Sequence, residues 1–319
     1  MSKRILFTAA DANYFTQASV LVQSLSITQI ERSHLIVFGN RWNDMQVSKL
    51  KSIARNCVSV EVVPVNSVEF SDVKLSHRFP LATAYNLIAP KYLLDGYDHA
   101  IYMDADIVIL DDLGDVWNQK LTTPVSAVAD AHIGFIGFPS MWRPWRELDA
   151  DPKAPYLNTG MMNIDLKLWR ELEITEKCLD LLVSFEMPCI DQDALNLVLN
   201  GKFDHMHPRF NLMPYHLMKK LRTVDISEKP NDIQDAIKNP AMIHFHRSFL
   251  GKPWDRGCSH PARKLWTSIA DEVSPRWRKS NDMIGAFKQA GAKFANMSEL
   301  DESSITLSSL NASNLGCDR

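Results

Sequence analysis

The stretch that decides the fold is HAIYMDADIVIL, residues 99–110, an apolar run that contains the carboxylates Asp104 and Asp106. Because an unpaired buried charge is costly, two acids in such a run need a cation or water beside them. Residues i and i+2 of a strand point to the same side, so we expect both carboxylates to reach one hard divalent cation. A bare D-x-D is common, and a pair of solvated turn acids is the competing interpretation.

Segments with strand-like and helix-like patterns alternate on both sides of this run. The strand candidates are RILFTAA (4–10), HLIVFG (34–39), VSVEVVPV (58–65), YLNTGMMNID (156–165) and PAMIHFH (240–246). The helix candidates are residues 15–28, NDMQVSKLKSIARN (43–56), LATAYNLIAPKYLL (81–94), LKLWRE (166–171) and DQDALNLVLNG (191–201). Alternation of this kind predicts βαβ units, and therefore an α/β fold with a mostly parallel sheet.

Composition excludes several classes of protein. The chain has 319 residues, of which 45% are apolar and 23% charged, and its net charge of -3 does not favour nucleic acid as a partner. No apolar run approaches the ~20 residues of a membrane span, and the N-terminus lacks the apolar run of a secretory signal. The five cysteines form no C-x-x-C pair, which argues against a thiolate zinc site. We therefore expect a cytoplasmic protein.

A second chemical signal is HFHRSFLGKPW, residues 244–254. His244 ends an apolar strand, where a neutral imidazole is suited to be a third metal ligand. Lys252 follows in a loop, and a lysine there can neutralise phosphate charge. A hydrogen-bonded core histidine is the competing interpretation of His244.

Two further clusters carry polar side chains that suit a sugar. Asn158-Thr159-Gly160 and Asp191-Gln192-Asp193 each adjoin strongly apolar segments, and such groups hydrogen-bond hydroxyls. The alternative for Asp191 is that it caps the helix that follows.

The segment Asp11-Ala12-Asn13-Tyr14 follows the first predicted strand. This is where nucleotides bind in many doubly wound sheets. An ordinary turn between strand and helix explains these residues equally well.

Taken in order, the blocks resemble glycosyltransferase family 8 over roughly residues 4–256. They are AADANY (9–14), YMDADIVIL (102–110), LNTGMMNIDLKLW (157–169), DQDALN (191–196) and GKPW (251–254). The resemblance implies a GT-A fold, with a Rossmann-like, mostly parallel twisted sheet flanked by helices. It also implies transfer of a hexose, glucose or galactose, with retention of anomeric configuration. The donor would be a UDP-sugar, the cofactor Mn²⁺ with Mg²⁺ as the alternative, and the acceptor a glycan or lipopolysaccharide-type glycolipid.

The same resemblance implies a role for individual residues. The metal ligands would be Asp104, Asp106 and His244, with Asp104 also near the ribose. Asp191 and Gln192 would be the catalytic pair beneath the donor sugar. The remaining donor contacts would be Ala9, Asp11, Asn13, Tyr14 (stacked on the uracil), Asn86, Ala105, Asn158, Gly160, Gly251 and Lys252.

Two positions depart from the family pattern. Asn86 stands where the family commonly has a basic residue that meets the donor. His246, rather than His244, keeps the commoner spacing to Lys252, whereas His244 keeps the place at the end of the apolar strand. We favour His244 as the ligand on strand geometry.

We expect three parts in the chain. Residues 1–256 form the transferase domain, 257–296 a small helical extension rich in basic and aromatic residues, and 297–319 a poorly ordered tail rich in Ser, Asn and Asp. Clusters of Lys and Arg with Trp favour anionic lipid surfaces, which suggests peripheral contact of the extension with the inner membrane. The alternative is a helix that packs its aromatic face on the domain.

Two other functions compete with an active transferase. Asn86 is consistent with a degenerate protein that binds a nucleotide sugar without turning it over. A self-glycosylating primer of the glycogenin kind needs an acceptor tyrosine on an exposed segment, but no tyrosine follows Tyr215. The sequence specifies neither the sugar, the acceptor nor the oligomeric state.

Overall fold

A computed structural model describes residues 5–74, 81–93, 96–139, 144–217 and 230–278. Its strands are β1 (Ile5–Ala9), β2 (Ser33–Phe38), β3 (Val58–Val63), β4 (His99–Met103), β5 (Ile107–Ile109), β6 (Val125–Ala129), β7 (Leu157–Asp165), β8 (Asp204–His205) and β9 (Met242–His244). Its α-helices are α1 (Phe15–Thr28), α2 (Asp44–Ile53), α3 (Tyr85–Tyr92), α4 (Gly114–Asn118), α5 (Leu166–Glu171), α6 (Ile174–Ser184), α7 (Ile190–Leu199), α8 (Pro214–Leu217), α9 (Asn231–Lys238) and α10 (Arg263–Val273). Short 3₁₀ helices cover Ala12–Tyr14, Ser67–Phe70, Leu81–Ala84 and Pro208–Asn211.

The main sheet has the strand order β3-β2-β1-β4-β7-β6-β8 within the described ranges. The pairs from β3 to β4 are parallel, as is β6 with β8. β7 runs antiparallel to both of its neighbours. The predicted α/β fold with a mostly parallel sheet is therefore confirmed.

Both faces of the sheet are covered, because successive strand residues point to opposite sides. Leu6 and Met103 join the apolar cluster that includes residues of α1 and α10. Phe7 and Tyr102 join the cluster on the other face, which includes residues of α3, α6 and α7. The ends of β1, β4 and β7 consequently lie between two packed layers, which hold their positions.

The run 99–110 is not one strand, contrary to the sequence-based expectation. β4 ends at Met103 and belongs to the main sheet, whereas β5 begins at Ile107 and pairs antiparallel with β9 in a separate two-stranded sheet. The chain must bend between the two sheets, so Asp104, Ala105 and Asp106 form a turn. The alternation of a strand therefore does not position the two carboxylates.

The described part of the extension packs against the domain. α10 contacts α1, and Trp266 and Trp277 are buried, with ring centroids 5.2 Å apart. These two tryptophans are consequently unavailable to a membrane surface. Their burial favours the alternative interpretation, in which the helix packs its aromatic face on the domain. The rest of the extension, from residue 279, and the tail 297–319 lie outside the described residues.

No helix within the described ranges combines the length and the apolarity needed to cross a bilayer.

Candidate active site

Backbone pairing brings the Asp104–Asp106 turn to His244. The Asp104 N–H donates to the Gly160 carbonyl of β7 at 2.8 Å, which fixes one side of the turn. On the other side, Ile107 of β5 lies opposite His244 of β9, and the Phe245 N–H donates to the Asp106 carbonyl at 2.9 Å. Three segments that are distant in sequence therefore meet where β4 ends.

Two carboxylates and one imidazole form a cluster there. His244 Nε2 lies 3.4 Å from Asp104 Oδ2 and 3.3 Å from Asp106 Oδ1. One ligand atom from each of the three residues lies within 4.8 Å of the others. His244 and Asp106 are buried, while Asp104 is partly exposed. The cluster is thus open to solvent on the Asp104 side, and the Lys252 ammonium pairs with Asp106 Oδ2.

The cluster fits a divalent cation. His244 Nε2 is buried and makes no hydrogen bond with any described residue, although it lies between two carboxylates. His244 Nδ1 is instead hydrogen-bonded to Asn211 Oδ1 at 2.9 Å. A neutral ring protonated on Nδ1 directs its Nε2 lone pair toward the carboxylates. One nitrogen and carboxylate oxygens suit Mn²⁺ better than Ca²⁺, which prefers oxygen alone.

Without a cation, positive charge from the chain itself occupies this cluster. Burial lowers the pKa of the His244 imidazole, but the charges of Asp106 and Asp104 raise it overall to about 9. Burial opposes ionisation of Asp106, yet Lys252 and His244 hold the pKa of that carboxyl below its usual range. A divalent cation therefore has to displace a proton from His244 and the ammonium group of Lys252 from Asp106.

His246 is not part of the cluster. Its Nδ1 is hydrogen-bonded to the Arg247 carbonyl at 3.1 Å, and its ring stacks near Tyr215, with centroids 5.9 Å apart. Burial and the charge of His244 lower the pKa of His246 to about 3. Of the two candidate histidines, it is His244 that faces the carboxylates.

Gly160 leaves the space that the His244 ring occupies. A Cβ at position 160 would overlap His244 Cε1 and Nδ1. The asparagine two residues earlier also depends on this backbone, because the Gly160 N–H donates to Asn158 Oδ1 at 3.0 Å. The Asn158-Thr159-Gly160 motif therefore supports the position of the His244 ring.

Replacing Gly160 by alanine should displace the His244 ring and weaken Mn²⁺ binding at least about tenfold, because the donor set loses its geometry. Overpacking should also lower the free energy of unfolding by about 1–3 kcal/mol. Titration of Mn²⁺ by electron paramagnetic resonance and chemical denaturation measure the two effects. Gly257→Ala is the matched control, since a Cβ there meets nothing within 4 Å. Unchanged Mn²⁺ affinity in Gly160→Ala would contradict this assignment.

A buried polar network joins the other predicted site residues. Gln192 Oε1 accepts hydrogen bonds from Asn158 Nδ2 and from the Thr159 N–H, both at 3.1 Å. Asp191 Oδ2 accepts from Asn86 Nδ2 at 2.7 Å and from Thr159 Oγ1 at 3.0 Å. β7 and α7 therefore present these side chains to one another at the edge of the metal cluster.

The sequence-based alternative that Asp191 caps α7 is wrong. The helix begins at Ile190 after Cys189, and it is Asp193 whose carboxylate accepts from the Cys189 N–H at 2.7 Å. Asp191 is buried in the first turn, where burial first and the charge of Asp104 next raise its pKa to about 7. The structure thus places a carboxylate that is hard to ionise beside the metal cluster.

Asn86 lies in the network rather than at the surface. It is fully buried on α3, and its amide pairs with Asp191 instead of the basic side chain that the family pattern favours. A neutral amide donates one hydrogen bond without adding positive charge, so it offsets only part of the burial cost of the Asp191 carboxylate.

The predicted nucleotide residues lie at the end of β1. Asp11 Oδ1 accepts from the Asn40 N–H at 2.8 Å, which ties the turn after β1 to the turn after β2. Asn13 is exposed, and Tyr14 is 38% exposed, with its ring edge-to-face with Trp254 at 6.3 Å. Ala9 ends the strand. Burial and the charges of Asp106 and Asp104 raise the pKa of Tyr14, which shows how near this turn is to the metal cluster.

The predicted loop residues, Gly251 and Lys252, lie next to the turn after β1, because Trp254 of the same loop contacts the Tyr14 ring. Gly251 adopts a left-handed backbone, with φ of 75°, which lets the chain turn just before Lys252. The Lys252 ammonium lies 5.5 Å from the centroid of the Trp254 ring and pairs with Asp106. Ala105 is buried within the turn between the two acids.

Three residues of the site were not identified from the sequence. Asp130 follows β6 and accepts from Asn158 Nδ2 at 2.9 Å. An acid directly after an apolar strand is the same signal that identified Asp104, so it was available. Tyr102 donates to Asp104 Oδ1 at 2.5 Å, and Asn211 contacts His244. Tyr102 lies only two residues before Asp104, whereas the contact of Asn211 depends on how segments distant in sequence pack.

Comparison with known proteins gives a match to one family over most of the chain. The family model for glycosyl transferase family 8 matches residues 5–258. General stress protein A of Bacillus subtilis is 28% identical over 212 residues, which span 65% of this chain and 70% of that protein. Lipopolysaccharide 1,2-glucosyltransferase of Escherichia coli K12 is 24% identical over 277 residues, spanning 84% and 77%.

Among solved structures, galactosyltransferase LgtC in complex with donor and acceptor sugar analogs matches with a TM-score of 0.71. The sequence identity is 22%, and the match covers 86% of this chain and 99% of the LgtC chain. This likeness confirms the predicted GT-A fold.

Proposed function

The chain belongs to glycosyl transferase family 8 and is a glycosyltransferase, and we propose that it moves a hexose, glucose or galactose, from a UDP-sugar to a glycan or lipopolysaccharide-type acceptor with retention of configuration. The observation that carries the proposal is the cluster of Asp104, Asp106 and His244, in which the buried Nε2 of one imidazole lies 3.3 and 3.4 Å from oxygens of two carboxylates. A pair of acids in a solvated turn would not share a buried imidazole in this way.

Asp104, Asp106 and His244 would hold the cation, Mn²⁺ or alternatively Mg²⁺. A bound divalent cation stabilises the negative charge that develops on a diphosphate leaving group. Lys252 adds a second positive charge on the same side, because its loop places the ammonium at Asp106. The turn from Asp11 to Tyr14 contacts the Trp254 ring of the same loop and is where we place the nucleoside, with Tyr14 on the uracil.

Asp191 and Gln192 are the groups that we place beneath the donor sugar, with Asn158 and Gly160 beside them. Gln192 Oε1 accepts hydrogen bonds from both Asn158 and Thr159, so its lone pairs are engaged. This favours attack by the acceptor on the face from which the leaving group departs, rather than covalent capture by Gln192. Asp191, a buried acid, then holds Asn86 and Thr159 in place by accepting their hydrogen bonds.

The likeness to an Escherichia coli lipopolysaccharide glucosyltransferase over most of both chains supports a saccharide or glycolipid acceptor. We place the protein in the cytoplasm as part of the same proposal.

Lys252→Gln should have opposite effects on the two ligands. Without nucleotide, loss of the ammonium that pairs with Asp106 should tighten Mn²⁺ binding about tenfold, since a charge-assisted hydrogen bond no longer competes. Binding of UDP in the presence of Mn²⁺ should weaken by about the same factor. Calorimetry measures both, with Lys238→Gln, an exposed lysine on α9, as the control. Weakening of both ligands together would contradict the competition.

The proposal is tested by incubating the protein with a panel of UDP-sugars and Mn²⁺, and measuring release of UDP with and without EDTA. We expect metal-dependent release from one sugar, which identifies the donor. If no sugar is turned over, binding of UDP is measured by thermal shift. Binding that is never followed by turnover, even with acceptor glycans added, would favour a degenerate protein. No metal-dependent binding of UDP would overturn the UDP-sugar donor.

A further inference from the structure

Asn211 is a fully buried polar residue at the end of the 3₁₀ helix Pro208–Asn211. Backbone pairing holds it beside the metal cluster. The Leu212 N–H donates to the Met242 carbonyl at 3.1 Å, and the His244 N–H donates to the Leu212 carbonyl at 3.0 Å. These backbone hydrogen bonds tie the segment that contains Asn211 to β9. They hold the Asn211 side chain next to the His244 ring.

Four buried side chains form a continuous line from the sugar network to the metal ligand. Asn158 Nδ2 lies 2.9 Å from Asp130 Oδ2, and Asn211 Nδ2 lies 2.9 Å from Asn158 Oδ1. Asn211 Oδ1 in turn lies 2.9 Å from His244 Nδ1. Each link has an ordinary hydrogen-bond length, and all four residues are buried, so water does not compete for them.

Donors and acceptors along this line can be arranged in only one way. An ionised carboxylate only accepts hydrogen bonds, and Asp130 already accepts from the backbone N–H groups of His132 and Ile133. Asn158 must therefore turn its NH₂ toward Asp130. The Gly160 N–H points at Asn158 Oδ1 and requires the same orientation.

The same arrangement extends to the histidine. Since Asn158 presents its oxygen to Asn211, Asn211 donates with its NH₂ and presents its own oxygen to His244. That oxygen accepts only if His244 carries a proton on Nδ1. The neutral ring consequently has its lone pair on Nε2, which is the nitrogen facing Asp104 and Asp106.

We infer that Asn211 is a positioning residue that fixes the tautomer and orientation of the His244 ring for metal binding, and that Asp130 sets the direction of this control through Asn158. The inference rests on the proposed function for the identity of the cation. It links the metal ligand to residues that we place around the donor sugar. We therefore expect a substitution at Asp130 or Asn158 to change the affinity for the cation, although neither residue is a proposed metal ligand.

Two substitutions at this position separate positioning from mere packing. Asn211→Leu is close in size but leaves His244 Nδ1 without an acceptor. Asn211→Asp keeps an oxygen that accepts from Nδ1–H, although it loses the donation to Asn158 and adds a negative charge beside the ring. We expect Asn211→Leu to weaken Mn²⁺ binding about 10–100-fold, in keeping with measured losses of such outer contacts. Asn211→Asp should stay within about threefold of wild type, while a packing role would impair both equally.

The tautomer itself is observed by long-range ¹H–¹⁵N correlation in protein with ¹⁵N-labelled histidine, in EDTA at pH 10, with the His244 signals assigned from His244→Ala. We expect a proton on Nδ1 in wild type and in Asn211→Asp, and a mixture or the other tautomer in Asn211→Leu. Asn163→Leu is the matched control, because Asn163 is a buried asparagine of β7 bonded to the Val116 carbonyl and lies outside the line. It should leave both the tautomer and the Mn²⁺ affinity unchanged.

The inference is overturned if wild-type His244 carries its proton on Nε2, or if Asn211→Leu binds Mn²⁺ as tightly as wild type. If wild type itself binds no Mn²⁺, the proposed function fails instead. The tautomer in the metal-free protein then still decides whether Asn211 acts as inferred.

Discussion

Replacing Asp106 by asparagine should lower kcat/KM for UDP-sugar turnover on the order of a thousandfold or more. Asp106 is the acid that contacts both His244 and Lys252, and it is buried, so water cannot take its place. Loss of its charge removes one of three metal ligands and the partner of the lysine at once. A loss of about 4 kcal/mol of transition-state stabilisation corresponds to that factor.

The measurement is initial-rate kinetics with the donor identified from the panel, together with Mn²⁺ affinity. Asp115→Asn serves as the control, because Asp115 is a well exposed acid on α4 outside the cluster, with 82% of its side chain accessible. It should leave kcat/KM unchanged. A variant at Asp106 that retains more than a tenth of wild-type activity would contradict its assignment as a metal ligand.

The second large effect is an increase in stability that accompanies a loss of activity. Asp191→Asn should abolish most of the activity, yet raise the free energy of unfolding of the metal-free protein. The pKa of Asp191 rises from 3.8 in the unfolded reference to about 7 in the fold, because burial disfavours the carboxylate and Asn86 adds no positive charge. At about 1.4 kcal/mol for each pH unit between these values, the penalty is on the order of 4 kcal/mol above pH 7.

The pH dependence follows from the sign of that shift. Between about pH 4 and pH 7 the folded state keeps a proton on Asp191 that the unfolded state releases, so stability falls as the pH rises. Asp191→Asn lacks this group, and its advantage over wild type should grow from pH 5 to pH 8. Urea denaturation in EDTA at both pH values measures it.

Asp193→Asn, in the same turn of α7, is the matched control for this stability effect. Asp193 accepts hydrogen bonds from Tyr156 Oη at 2.6 Å and from the Cys189 N–H, and asparagine cannot satisfy both donors equally well. We therefore expect Asp193→Asn to be destabilised where Asp191→Asn is stabilised. An Asp191→Asn protein whose advantage is the same at pH 5 and pH 8 would show that the buried carboxylate is not strained.

Periodicity predicted most of the fold because each helix and strand buries an apolar face. The positions Ala18, Leu21, Val22 and Leu25 at helical spacing are all buried in α1. Periodicity did not predict that run 99–110 forms two strands. β4 and β5 are equally apolar, and they are separate strands because β4 pairs with β7 whereas β5 pairs with β9. Nothing in the local sequence around Asp104 and Asp106 indicates that one strand ends there and another begins.

The site divides in the same way. Residues with distinctive chemistry at strand ends, such as Asp104 and His244, were identified from the sequence together with the Asn158 and Asp191 motifs. Asn211 was not, because its importance lies in a contact across packed segments and its neighbours in sequence are apolar. Asn86 was identified as a departure, but only the structure shows that its amide pairs with Asp191.

We propose that Asp104, Asp106 and His244 hold one divalent cation through which the nucleotide is bound. Calorimetric titration of UDP into the protein, with saturating Mn²⁺ and again with EDTA, tests it most directly. We expect UDP to bind at least about tenfold more tightly with Mn²⁺, and this difference to be lost in Asp106→Asn. Equal affinity for UDP in Mn²⁺ and in EDTA would contradict it.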